Sequence, residues 1–187
     1  MATYDLDEQE RLDELKAWWK RWGNLVMVGL AVVVAAAAGW RYWQNQVVTQ
    51  SREAAAVYER LTRSLAANDA KAARDAGAML IDQYKGTAYA PRAALLLAKL
   101  NVGAKDLKSA QAQLEWAVAN SKEPAVKDLA RLRLAGVQLD QKQYDAALKT
   151  LSATHSDAFA FRFHDLKGDV LLAQGKPAEA RAAYQAA

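Results

Sequence analysis

The stretch WGNLVMVGLAVVVAAAAGW, Trp22 to Trp40, constrains this chain more than any other. It holds no charged residue and is bracketed by Arg21 and Arg41. As a helix at about 1.5 Å per residue it would span roughly 28 Å, close to the about 30 Å of a bilayer's hydrocarbon core. Lys20 and Arg21 precede it, and Trp40, Arg41, Tyr42 and Trp43 close it. Amphipathic rings sit well at headgroup level, and cations there snorkel to water. The sequence therefore predicts a single transmembrane helix over 22–43, with Trp18, Trp19, Trp22, Trp40, Tyr42 and Trp43 at the membrane interfaces. Two other readings compete. A buried soluble helix would be polar somewhere and would not be bracketed by Trp. A cleaved signal peptide is suggested by Ala36-Ala37-Ala38. Against it, the region before the run is long and acidic, and no polar segment separates the run from the alanines.

The 187 residues have room for this anchor and one further domain of roughly 140 residues, enough for a core. Composition is rich in Ala, Leu, Gln, Lys, Arg, Asp and Glu and poor in Gly, Pro and Phe, which favours helix. The net charge of +4 is interleaved with acids, and no basic stripe with aromatics between points to nucleic acid. The chain has no cysteine, which excludes disulfides, thiolate metal sites, a Cys nucleophile and a lipid-modified Cys.

Residues 1–21 read as an amphipathic helix on the cytoplasmic side. Leu12, Leu15, Trp19 and Trp22 share one face. Asp5, Asp7, Glu8, Glu10, Asp13 and Glu14 come first, and Lys16, Lys20 and Arg21 adjoin the bilayer, as the helix dipole and an anionic leaflet favour. Arg11, Lys16, Lys20 and Arg21 before the span outnumber Arg41, Arg52 and Arg60 after it, which predicts the N-terminus inside. Residues 44–67 continue as helix without Gly or Pro, with Ala54, Val57, Tyr58, Leu61 and Leu65 as an apolar stripe.

The remainder repeats. Pro91, Pro124 and Pro177 each stand just before a helical pattern, where a missing N–H is harmless. Gly86, Gly103 and Gly175 stand just after one, where a left-handed cap is expected. These marks predict helices of roughly 11–17 residues. Ala73, Ala110, Ala147 and Ala180 are spaced 37, 37 and 33 apart. Four residues after the last three come Leu114, Leu151 and Tyr184; twelve before them come Ala98, Ala135 and Gly168. Small residues let paired helices approach, and the large ones fill the gap to the next pair. This is a tetratricopeptide-like pattern, clearest at LRLAGVQLDQKQYDAALKTL (132–151) and HDLKGDVLLAQGKPAEARAAY (164–184) and good at 94–117. At 58–80 it is degenerate, with Gly77 where a large residue belongs. Such units stack into an α-solenoid, predicted here over 44–187. Gly77, Gly136 and Gly168 lie inside helices, and close helix packing is the expected reason. The pattern stops in mid-helix at Ala187, which suggests a further capping segment or a partner over that end.

With GWRYW (39–43) after the anchor, DAALKTL (145–151) and KGDVLLAQGK (167–176), essentially the whole chain resembles the YfgM family. The resemblance implies a bacterial inner-membrane protein with a periplasmic tetratricopeptide-like domain. It implies an ancillary subunit of the SecYEG translocon that associates with the PpiD chaperone and helps hand emerging chains onward. A different class of function stays open on the residues alone: a regulator whose acidic tail (5–14) sequesters a cytosolic stress-response factor.

Catalytic constellations are missing from the sequence. His155 and His164 have no third ligand at metal spacing. No phosphate-binding glycine loop and no Gly-x-Ser-x-Gly setting occurs. No cofactor or small-molecule substrate is expected, and the all-α chain reads as a non-enzymatic binding protein. The first helix of each pair, about 91–102, 125–141 and 158–173, is expected to line the binding side. Arg92, Lys99, Arg131, Asp165 and Asp169 are its candidate partner-binding residues.

Overall fold

The computed structural model describes residues 4–187, with side chains from Arg11 onward. The side chains of Asp5, Asp7, Glu8 and Glu10 lie outside the described residues. Every regular element described is helical: α1 (Tyr4–Ala66), α2 (Ala70–Gln83), α3 (Tyr89–Gly103), α4 (Leu107–Asn120), α5 (Pro124–Asp140), α6 (Tyr144–Leu151), α7 (Asp157–Ala173) and α8 (Pro177–Gln185). At 8 and 9 residues, α6 and α8 are shorter than the spacing of prolines and glycines predicts. The chain forms two compact units, one ending at Thr49 and one spanning Gln50–Ala187.

In the first unit, α1 presents its apolar side chains outward; Leu25, Val33 and Trp40 are all more than half exposed. In the second, the last turns of α1 and the seven shorter helices form four pairs. Ala54 and Leu61 of α1 pack with Ala73 and Leu80 of α2 and with Ala93 and Leu97 of α3. Ala94 and Ala98 of α3 pack with Ala110 and Leu114 of α4 and with Ala130 and Leu134 of α5. Leu132 and Ala135 of α5 pack with Ala147 and Leu151 of α6 and with Phe163 and Val170 of α7. Each of these cores takes one pair plus the first helix of the next. No pair buries its apolar face alone, so the stack is obligatory.

The alanines predicted to set the period are buried at every copy: Ala73, Ala110 and Ala147 at 0% exposure and Ala180 at 1%. Opposite them a size exchange runs along the stack. Ala98 and Ala135 on first helices face the positions of Leu114 and Leu151 on second helices, sixteen residues on. In the last pair the same two positions are Gly168 and Tyr184, and a Cβ on Gly168 would lie 2.2 Å from the Tyr184 ring. In the first pair the sizes are reversed, Leu61 and Gly77. The space beside Gly77 is filled from the next pair, since a Cβ there would lie 2.6 Å from Leu97. The copy at 58–80 is therefore compensated, with the missing bulk supplied across the interface. Gly136 departs from the expectation: nothing lies within 4 Å of a Cβ built on it, so helix packing does not require that glycine.

The left-handed cap expected at Gly175 is present, but the turns of the other pairs differ from the sequence reading. Gly103 ends α3 and Gly86 sits in the loop between α2 and α3, and neither is left-handed. The left-handed residues are Asn68 (φ 57°), Lys105 (φ 61°), Lys142 (φ 59°) and Gly175 (φ 79°), each five before a period alanine. The N–H of the next residue then reaches back five positions, as in Asp69 to Ser64, Asp106 to Asn101, Gln143 to Gln138 and Lys176 to Leu171, at 2.8–2.9 Å. This is a Schellman closure. In two turns the same residue caps the following helix: Asp69 accepts from the Ala72 N–H at 2.9 Å and Asp106 from the Ser109 N–H at 3.0 Å. The register requires reversal at the residue whose successor closes that bond, and the chain accepts a non-glycine there.

The hydrogen bonds from Ser109 hold the Asp106 carboxyl below its ordinary value of 3.8. Because the folded value is the lower one, this cap's stabilisation is present above 3.8 and lost as pH falls through the folded value. Asp106→Asn should flatten the acid side of the stability–pH profile. In urea denaturation, Gly136→Ala should stabilise by up to about 1 kcal/mol through helix propensity, whereas Gly168→Ala should destabilise by more than about 1 kcal/mol through overpacking against Tyr184. Lys142→Gly should stabilise by about 1 kcal/mol, by relieving the left-handed strain.

Candidate functional site

Two exposed surfaces have chemistry to offer, one in each unit. In the first, Trp18, Trp19 and Trp22 flank one end of the apolar stretch of α1, and Trp40, Tyr42 and Trp43 flank the other. Trp18 and Trp19 lie 6.3 Å apart at their ring centroids and Trp40 and Trp43 5.6 Å. Among the described residues, α1 is the one helix long and apolar enough to cross a membrane. The Trp19 ring lies over Gly23, about 3.1 Å from where a Cβ would be. Gly29 and Gly39 remain open for close approach by another helix.

In the second unit, the five charged residues expected on the first-helix face divide into two groups. Arg92 pairs with Glu123 at 2.6 Å, joining the start of α3 to the residue before α5. Arg131 donates to the Thr154 carbonyl at 2.7 Å and to Asp128 at 3.3 Å. Asp169 accepts from the Tyr184 hydroxyl at 2.8 Å. That bond, with burial and the Asp169 and Asp165 charges, raises the phenol above its ordinary 10.0, so the contact is present below 10.0 and lost as pH rises through the raised value. Three of the five thus have intramolecular partners. Lys99 and Asp165 are exposed and make no hydrogen bond or ion pair among the described residues.

One set of polar ties was invisible in the sequence. The Tyr84 hydroxyl, before α3, donates to Glu53 of α1 at 3.3 Å. Arg92 of α3 reaches Glu123 before α5. Asp128 of α5, 3% exposed, accepts from the Ser156 N–H at 3.0 Å and the Ser156 hydroxyl at 2.9 Å, before α7. The first helices of the first three pairs are thus each tied to the loop that leads into the next first helix, α3 and α5 near their starts and α1 near the start of its part in the second unit. The ties fix how successive pairs stack. The one available signal was an acid at position 128, where the same register carries Pro91 in α3 and Phe161 in α7. His155, in the same loop, stacks on the buried Phe163 at 4.2 Å, and His164 stands edge-on to His155 at 6.4 Å.

Beyond the ties, along the later turns of the first helices, lie two grooves that share Lys99. One, of 390 Å³, runs between α3 and α5 past Lys99, Gly136 and Val137. The other, of 740 Å³, runs past Leu65, Arg74, Leu96 and Leu100.

A model of the tetratricopeptide repeat-like domain matches residues 16–187. The chain is 32% identical over 185 residues to the ancillary SecYEG translocon subunit of Haemophilus influenzae, covering 99% of this chain and 90% of that one. It is equally similar to proteins of the same name from Escherichia coli, covering 89% of that chain, and from Neisseria gonorrhoeae, covering 88%. The chain belongs to the YfgM family. The family's match takes in both the apolar helix and all four helix pairs. No solved structure matches the chain.

Removing the buried carboxylate by Asp128→Ala leaves Ser156 and Arg131 short of an acceptor and should cost about 2–3 kcal/mol in chemical denaturation. Arg92→Ala, at a half-exposed pair, should cost no more than about 1 kcal/mol.

Proposed function

We infer that this chain is a non-enzymatic subunit of the SecYEG translocon, anchored by α1 and presenting its helix-pair stack to periplasmic chaperones and emerging chains. The reading takes residues 1–21 as cytoplasmic, 22–43 as the span and 44–187 as periplasmic. It takes a PpiD-like chaperone as a partner of the helix-pair stack. The observation that carries it is the union, in one family member, of an exposed apolar helix with aromatic ends and a repeat stack whose first helices form open grooves. The relatives are named for association with the translocon, and the open faces at Gly29 and Gly39 suit a helix–helix contact in lipid. Grooves of this kind bind polypeptide segments. Lys99 and Asp165 are the residues of the expected set free to meet a partner, while Arg92, Arg131 and Asp169 shape the surface around them.

Photocrosslinkers placed at Gly29 and Gly39 should capture translocon subunits in native membranes, and those at Lys99 and Asp165 should capture a periplasmic chaperone or a secreted chain. Absence of both products overturns the reading. Topology is checked by impermeant thiol labelling of single cysteines at Ala2 and at the exposed Lys122. Position 122 should label from the periplasm and position 2 only after permeabilisation. Deleting residues 1–15 should leave the translocon complex intact; a changed stress response with an intact complex would favour the regulator.

A further inference from the structure

The loops that lead into α3, α5 and α7 form one edge of the second unit, and the charges left free in its hollows are positive. A hollow of 150 Å³ lies between the first two loops, bordered by Lys85, Pro91, Lys122 and Glu123. The next, of 360 Å³, lies between the second and third and is bordered by Lys122, Glu123, Lys127, Asp128, Arg131 and His155. Both acids are already engaged. Glu123 pairs with Arg92 at 2.6 Å, and Asp128 is taken up by Ser156 and Arg131. The ammonium groups of Lys85, Lys122 and Lys127 make no ion pair or hydrogen bond among the described residues. Asp82 and Asp157 are exposed next to these loops but border neither hollow.

Free ammonium groups at a polar hollow favour phosphate or carboxylate oxygens. What the chain holds within reach decides between the two. Glu53 of α1 accepts from the Tyr84 hydroxyl at 3.3 Å, beside the first of these loops. It follows Trp43, the last ring of the apolar run, by ten residues. Even fully extended, ten residues reach no more than about 36 Å. The edge is therefore tethered near the lipid surface at whatever angle the units stand, and a tethered patch needs little affinity of its own. Anionic headgroups form a continuous charged sheet, and three lysines spread over two hollows match a sheet better than a single ligand.

We propose that this loop edge docks on anionic phospholipid headgroups of the bilayer that α1 enters, with Lys85, Lys122 and Lys127 holding headgroup phosphates. The proposal rests on the reading of 22–43 as the span. It gives the chain a second point of attachment to the membrane, on a surface separate from the first-helix grooves.

The test uses the full chain in phosphatidylcholine nanodiscs, with or without about 30% phosphatidylglycerol, and an acceptor dye on a trace lipid. The chain has no cysteine, so a donor dye is carried by Ala125→Cys, in the first turn of α5, or by Ala104→Cys, at the far end of α3. Phosphatidylglycerol should raise energy transfer from position 125 by about twofold and should not raise it from position 104. Salt at about 0.5 M should abolish the rise. The triple variant Lys85→Glu/Lys122→Glu/Lys127→Glu should abolish it as well, at an unchanged melting temperature, and the triple arginine variant should keep it. No rise at position 125, or an equal rise in the folded glutamate variant, overturns the proposal. So does calorimetric binding of soluble glycerol phosphate with a Kd below about 1 mM, which would assign the hollows to a free phosphate ester. A chain that enters the discs but shows no lipid-dependent transfer overturns the headgroup contact alone. Failure to enter the discs overturns the anchor reading beneath it.

Discussion

The second unit depends on how closely the two helices of each pair approach. That approach is set by the buried alanine ladder at 73, 110, 147 and 180. A side chain larger than a methyl at any of these places would push the pair apart and open the core it shares with the next pair. Alanine contributes little apolar area itself. Its role is to let larger neighbours such as Leu80, Leu114 and Phe163 reach full burial. The size exchange between first and second helices is the same constraint seen from the other side. A pair can carry bulk on either helix, but not on both at one level, and Gly168 beneath Tyr184 is the limiting case.

Stacking creates a second problem, which is the angle between successive pairs. Apolar contact alone leaves that angle soft, because leucine and alanine surfaces slide at small cost. The polar ties at Tyr84–Glu53, Arg92–Glu123 and Asp128–Ser156 restrict it. They differ in chemistry and share a position, each joining an early turn of one first helix, within the second unit, to the loop before the next. Asp128 is the most demanding of them, since a buried carboxylate is tolerated only with its acceptor sites filled. With the angle restricted, the grooves on the first-helix side keep a defined width.

The first unit obeys other physics. Its apolar side chains are exposed along α1, and its aromatic rings cluster at the two ends of the run. Water cannot stabilise that arrangement, whereas a bilayer can. The family match then joins two parts that chemistry alone would leave separate, the exposed apolar helix and the stack of helix pairs.

Much was legible in the residues. The apolar run, the helical composition and the period of the alanines are local or strictly repeating signals, and each is dictated by backbone geometry that every helix shares. That is why the all-α class, the helix pairs and the burial of Ala98, Ala135 and Gly168 follow from the sequence by itself. Other features required the tertiary structure, because they depend on which side chain arrives from a distant helix. Leu97 filling the space at Gly77, Asp128 receiving Ser156, and Arg92, Arg131 and Asp169 being taken up by internal partners are all cross-helix events. The left-handed residue fell at Lys105 rather than at a glycine because the closing hydrogen bond, not residue preference, sets the turn. Gly136 looked like Gly77 and Gly168 in the sequence, and only the packing separated them. Periodicity is carried along one chain, whereas emptiness above a residue is a property of everything that surrounds it.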